Sequence, residues 1–141
     1  MRSPHNFTIA TDISINALKL ARCCCDSAVC CDAEMLPFRE IANLVICAEV
    51  LEHLLNPLNC LKEIRRILKA EAGAIFTTPR AKTHHKRDKE HLHQFDVDSL
   101  SDLIESAKLS LIAIETLRIR LFLRIVPIPF KYEETLIAIV K

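Results

Sequence analysis

Glycine is nearly missing from this sequence: one residue, Gly73, in 141 positions, where average usage near 7% would place about ten. A glycine-rich loop is what lets backbone amides approach a nucleotide closely, and this sequence cannot contain one. A charge excess is missing too. Lys and Arg number 19 against 18 Asp and Glu, a balance that gives no sign of a nucleic-acid or acidic-surface binder. No apolar run is long enough to cross a bilayer; the uncharged stretch from Ile125 to Phe130 falls far short. Met1 to Asn6 has no apolar core of a secretion signal. The expectation is a cytoplasmic protein with no membrane or nucleic-acid partner.

Cysteine is plentiful, with seven residues, but the spacing that would use it is absent. Cys23-Cys24-Cys25 and Cys30-Cys31 are contiguous, and no Cys-x-x-Cys pair is available to build a tetrahedral metal site. An odd total without a signal also disfavours a secreted disulfide framework. These side chains are expected to pack as small hydrophobes.

What is present is an alternation of short apolar runs with helical patterns, which points to a βαβ sheet protein in a single domain, residues 1–141. Phe7–Thr11 reads as a strand, followed by a helix capped at Ser14 with Ile15, Leu18 and Ala21 on one face. Ala28–Cys31 and Asn43–Cys47 read as further strands, the latter apolar enough for burial on both faces. Asn56-Pro57 opens a helix: asparagine caps well, and proline at the first helical position loses no hydrogen bond. Leu58, Leu61, Ile64 and Leu68 form its core stripe, and Gly73 serves as a cap or turn before a strand at Ala74–Thr78. A basic, histidine-rich loop spans Arg80–Gln94, and Asp98 opens a helix with Leu100, Leu103, Ile104 and Ala107 inside. Leu109–Leu123 and Thr135–Val140 read as an antiparallel strand pair, joined through Pro127 and Pro129.

Three segments, in order, carry a resemblance. They are Ala10-Thr11-Asp12-Ile13-Ser14; Cys31-Asp32-Ala33-Glu34-Met35-Leu36-Pro37-Phe38; and Ala48-Glu49-Val50-Leu51-Glu52-His53-Leu54, leading to Glu63-Ile64-Arg65-Arg66-Ile67-Leu68-Lys69 and Thr77-Thr78-Pro79. Together the sequence resembles the class I S-adenosylmethionine-dependent methyltransferases of the small-molecule type. The resemblance implies an α/β, Rossmann-like sheet, mostly parallel, closing with an antiparallel strand pair. It also implies that the family's first strand, glycine-rich turn and first helix are missing here. Glu71-Ala72-Gly73 replaces the family's Pro-Gly-Gly, and Lys108 stands where glycine is frequent.

By the same resemblance, Asp12 would accept hydrogen bonds from the ribose hydroxyls of S-adenosylmethionine, as acids after strands do in dinucleotide-binding sheets; the plainer reading is an acid at a helix N-terminus. Asp32 would accept from the adenine amine with Ala33 beside the ring, or be an ordinary turn aspartate. Ile13 would pack on the adenine, or simply belong to the core. Glu49 would stand at the cofactor's edge. Glu49, Glu52 and His53 fall at i, i+3 and i+4, on one face if helical. They resemble the divalent-metal site of certain O-methyltransferases, or else form the polar lip of the substrate cleft. His53 is the candidate general base by residue type, and His84, His85, His91 and His93 could line the acceptor site or a solvated lid.

In the family the missing strand lies between those read here as Phe7–Thr11 and Asn43–Cys47. Either these two close up and pair, or another polypeptide or a second copy fills the slot, or both remain open edges prone to association. Two functions therefore stand side by side: methylation of a small-molecule acceptor, or a non-catalytic relative acting as an interaction module.

Overall fold

The computed structural model describes residues 6–81, 91–120 and 132–141, with backbone alone at 118–120 and 132–133. The prolines of the last connection, and His84 and His85 of the basic loop, lie outside these residues. Among the described residues, six strands and three α-helices follow in the expected α/β order: β1 (Ile9–Asp12), α1 (Ile15–Ala21), β2 (Ser27–Cys30), β3 (Ala42–Ala48), α2 (Pro57–Ile67), β4 (Leu68–Pro79), α3 (Val97–Ser106), β5 (Leu111–Arg120) and β6 (Tyr132–Val140). A 3-10 turn at Leu51–His53 sits between β3 and α2.

The strands form two sheets. β1 and β2 pair in parallel, and a second sheet runs in the order β3-β4-β6-β5. Within it β3 and β4 are parallel, while β6 is antiparallel to both β4 and β5. β1 and β3 do not pair with each other. Of the three outcomes expected for the slot, closure is the one this structure excludes.

Local chemistry fixes the helices. Ser14 accepts from the amide of Ala17 at 3.3 Å, and Asn56 from that of Asn59 at 3.3 Å, each satisfying a donor the helix leaves open. α3 starts two residues earlier than expected. Asp96, rather than Asp98, is its cap, because its carboxylate takes the Ser99 amide at 2.9 Å while the Ser99 hydroxyl returns to the Asp96 amide at 3.0 Å. Gly73 is not a cap. β4 runs straight through it, and a Cβ there would meet the Val140 carbonyl oxygen at 2.7 Å, so its role is close strand approach.

The core lies on one face of the four-stranded sheet. Phe76, Ala74 and Thr78 of β4 and Leu136, Ala138 and Val140 of β6 pack there against Cys60, Leu61 and Ile64 of α2 and Leu100 and Ile104 of α3. The other face is open. Leu44 and Ile46 are 56% and 66% exposed, so β3 is buried on one face instead of the two expected. All seven cysteines are free thiols; Cys47 and Cys60 are buried, as small apolar side chains are.

The β1–β2 ribbon is tied to the larger sheet through the segment after β2. Glu63 accepts from the Leu36 amide at 2.8 Å, and Arg66 donates to the Leu36 and Phe38 carbonyls. Glu34 accepts from the Asn56 amide at 2.9 Å. The Arg66 guanidinium also binds Glu63, holding that carboxyl below the usual glutamate range.

Candidate cofactor and acceptor site

The carboxyl ends of parallel strands are where open α/β sheets bind ligands, and the singled-out residues collect there. Asp12 is the last residue of β1, paired across to Cys30 of β2. Its Oδ1 accepts from the Ser14 amide at 2.7 Å. Asp32, two residues past β2, does the same with the Glu34 amide at 2.8 Å. Both are exposed, and Ala33 is half-buried beside Asp32. The two acids therefore do the turn work of the plainer reading while standing at neighbouring strand ends. The Cys31 thiol between them is pushed up, first by burial, then by the nearby Cys30, Asp32 and Asp12. Ile13 stands exposed next to Asp12 instead of entering the core.

Glu49 follows the end of β3 with a φ of 54°, the left-handed region that is uncommon for a non-glycine residue. Its amide donates to the Thr77 carbonyl at 2.9 Å and its carboxylate accepts from the Thr77 hydroxyl at 2.8 Å. The parallel pairing of Ala48 with Thr77 brings these groups together.

Glu49, Glu52 and His53 do not share a helical face, because only Leu51–His53 forms a turn and Glu49 lies before it. Glu52 is 2% exposed and accepts from the Thr78 hydroxyl at 2.9 Å. A carboxylate so buried is an internal support and not the lip of a cleft. Its backbone carbonyl accepts from the amides of Leu92 and His93 at 2.8 and 3.1 Å, which holds that segment against the turn. His91 consequently stands 4.9 Å from His53, ring to ring, edge on. Candidate ligand atoms of Glu52, His53 and His91 lie within 4.8 Å of one another. This compact group contains His91 and not Glu49, whose carboxylate accepts from the Thr77 hydroxyl. His93 instead stacks on Phe95 at 6.0 Å.

Sequence reasoning missed Thr77 and Thr78 as partners of the two glutamates; the β3–β4 register was the signal that could have found them. A basic cleft of about 690 Å³, lined by Lys62, Arg65, Lys69, Lys108 and Lys141 among others, opens around the amino end of β4. That is the opposite end of the strand from Thr77 and Thr78, and it is not this site.

The methyltransferase domain family matches residues 2–76. A malonyl-[acyl-carrier protein] O-methyltransferase of a Marinomonas species is 32% identical over 120 residues, covering 74% of this chain and 44% of that protein. The chain spans less than half the length of the curated relatives it matches. Among solved structures, a Bacillus halodurans protein assigned as a methyltransferase superposes with a TM-score of 0.77 at 18% identity, covering 94% of this chain and 82% of that one. A Haloferax volcanii chain solved in complex with the Trm112 methyltransferase activator gives 0.74 at 18% identity, covering 94% and 69%. The matched residues contain Asp12, Asp32, Glu49, Glu52 and His53. The chain belongs to the S-adenosylmethionine-dependent methyltransferase domain family, on the class I fold.

Proposed function

We propose that this chain holds the adenosine of S-adenosylmethionine between Asp12 and Asp32 and serves methyl transfer to a small-molecule acceptor beside His53. The observation that carries the reading is the pair of exposed aspartates at the ends of adjacent parallel strands. The residues fit the nucleoside half of the cofactor. Two carboxylates accept from hydroxyls and an exocyclic amine, with Ile13 and Ala33 as apolar surface for the ring. For the methionine half, the single glycine, Gly73, lies within β4 and offers no amide cradle.

The cofactor, when bound, supplies an electrophilic methyl group on a positively charged sulfur. The chain's part is alignment and exclusion of water, together with removal of the acceptor's proton. His53, exposed and set on the turn above buried Glu52, is the group proposed to take it. An oxygen acceptor is the first class to test, since the Marinomonas relative is an O-methyltransferase.

A divalent cation is an alternative use of the same groups: one carboxylate and two imidazoles of Glu52, His53 and His91 suit a borderline ion such as zinc, and His53 would then be a ligand instead of the base. It would polarise an acceptor oxygen.

The test is transfer of a labelled methyl group from S-adenosylmethionine to a panel of small hydroxylated and carboxylated acceptors. Transfer lost in His53→Ala, with cofactor binding kept, supports the proposal. Cofactor binding without transfer to any acceptor favours the non-catalytic reading. Absence of binding refutes both halves of the proposal.

A further inference from the structure

The basic cleft at the amino end of β4 has a volume of about 690 Å³, within the range of pockets that take small molecules. Its cations are Lys62, Arg65 and Arg66 of α2, Lys69 just beyond that helix, Lys108 after α3, and Lys141. Glu40 and Glu71 are the acids that line it with them. An overall charge of +1 hides this concentration, because most of the balancing acids lie elsewhere.

Two of the cations are already engaged. Arg66 holds Glu63 and the Leu36 and Phe38 carbonyls, and Lys141 holds Glu71. Lys62, Arg65, Lys69 and Lys108 are exposed, and among the described residues none of them makes an ion pair. Glu40 is then the lining acid left to offset four cations. Lys62 and Arg65 share one face of α2 at i and i+3, and Lys108 comes in from a separate element. Charge of one sign gathered in a concave site concentrates the field there and attracts anions.

The walls of the cleft are set by backbone. After α3 the Leu109 amide donates to the Ile104 carbonyl at 3.2 Å and the Lys108 amide to the Glu105 carbonyl at 2.8 Å. This paired closure ends a helix on a left-handed residue, usually glycine. Here that residue is Lys108, with a φ of 60°. Between the pairs Ala42–Leu68 and Leu44–Gly73, β3 advances two residues while β4 advances five, and the resulting bulge carries Glu71 at a φ of 65°. Ser110 and Lys141 exchange amide bonds at 2.8 and 2.9 Å, which fixes the third side. Among the described residues, the non-glycine residues with positive φ are Glu49, Glu71 and Lys108, and the last two both line this cleft. Strain of that kind gathers at ligand sites. Glycine at 108 would close the helix without it, whereas lysine adds a charge to the cleft.

We propose that the cleft binds a small phosphate-bearing ligand, with a di- or triphosphate group held by Lys62, Arg65, Lys69 and Lys108. The arginine offers a planar fork that meets two phosphate oxygens, and the lysines supply point charges around it. No lining residue is aromatic, so the site has no ring on which a nucleic-acid base would stack. A concave site of this size also suits a compact polyanion better than the flat acidic face of a protein. Asp12, Asp32 and His53 take no part in this binding, and the test leaves cofactor out.

The experiment is calorimetric titration of the full chain with inorganic phosphate, pyrophosphate and tripolyphosphate, at about 0.15 M salt to screen diffuse attraction. One tripolyphosphate should bind per chain, about tenfold or more tighter than phosphate, because several cations are engaged at once. Arg65→Gln and Lys108→Gly should each weaken it about fivefold or more, while Lys19→Gln, an exposed cation on α1, should change nothing. Lys108→Gly carries a second readout that a merely structural lysine would not give. Its unfolding midpoint should hold or rise as binding falls, since glycine relieves the left-handed strain. The same titration is run with an RNA of about twelve nucleotides, which carries a phosphate at each step, and with a glutamate-rich peptide of equal length. Three results would overturn the proposal. They are no tripolyphosphate binding at millimolar concentration; an equal loss in Lys19→Gln, which would mark diffuse charge attraction; or tighter binding of the RNA or the peptide than of tripolyphosphate, lost in Arg65→Gln. The last would assign the cleft to a macromolecule.

Discussion

Replacing Gly73 by alanine tests whether the only glycine is used for close approach. Its backbone is not in the left-handed region, so alanine faces no conformational penalty. In free space it would stabilise the chain by about 0.4–1 kcal/mol, through lower entropy of the unfolded state. The surroundings oppose this. The new Cβ would lie 2.7 Å from the Val140 carbonyl oxygen and 3.8 Å from its carbon. The obstructing atom is backbone, in a strand paired on both sides, and cannot swing away as a side-chain tip would. Overpacking of this kind costs about 1–3 kcal/mol. The clash wins, leaving a net loss of about 1–2 kcal/mol. With a urea slope of about 2 kcal/mol per molar, the midpoint of Gly73→Ala should fall by roughly 0.5–1 M, read by circular dichroism. A midpoint equal to or above the parent's would refute the argument, because the entropic term alone would then be acting.

Thr78→Val keeps shape but strips the buried Glu52 carboxylate of its hydroxyl donor at 2.9 Å, so a loss of about 1–3 kcal/mol is expected in the same denaturation assay; Thr78→Ser should recover most of it. The Glu63 carboxyl is held down first by the Arg66 side chain and also by the Leu36 amide. Its contribution is therefore full above the unfolded glutamate value of about 4.3 and fades as pH falls through the lower folded value. Glu63→Gln should be less stable than the parent at pH 7, and the gap should narrow below about pH 4; a gap independent of pH would contradict this. In a zinc titration, binding at the Glu52–His53–His91 cluster should be weakened at least tenfold in His91→Ala and little changed in Glu49→Gln, since the compact cluster contains His91 and not Glu49; the opposite ranking would restore the helical-face expectation.

Much of the fold was legible because its signals are local. Asn56-Pro57 dictates a helix start wherever it lies, and the alternation of apolar runs with amphipathic stretches needs no partner to be recognised. Asp12 and Asp32 were singled out through motif order, and the β1–β2 pairing puts them at neighbouring strand ends. Legibility failed where a residue's role depends on a neighbour distant in sequence. Gly73 reads as a turn until β6, almost seventy residues later, presses its backbone against it. The i, i+3, i+4 spacing at Glu49 suggests one helical face, but Thr77 pins Glu49 to the strand end and the turn begins only at Leu51. β3 reads as buried on both faces because its composition is that of a strand with two covers, while the described chain supplies one. Composition records what a segment is suited to, and packing records what is there to meet it.

The adenosine grip is most directly tested by calorimetric titration of the full chain with S-adenosylhomocysteine, beside Asp12→Asn and Asp32→Asn. Both side chains are exposed, so the variants should remain folded. Loss of a charged hydrogen-bond acceptor is worth about 1.5–3 kcal/mol, so each variant should bind at least tenfold more weakly. Adenosine alone should retain most of the affinity, since the contacts proposed for Asp12 and Asp32 lie on that half. Equal binding by parent and both variants, or affinity that vanishes with adenosine alone, would contradict the account.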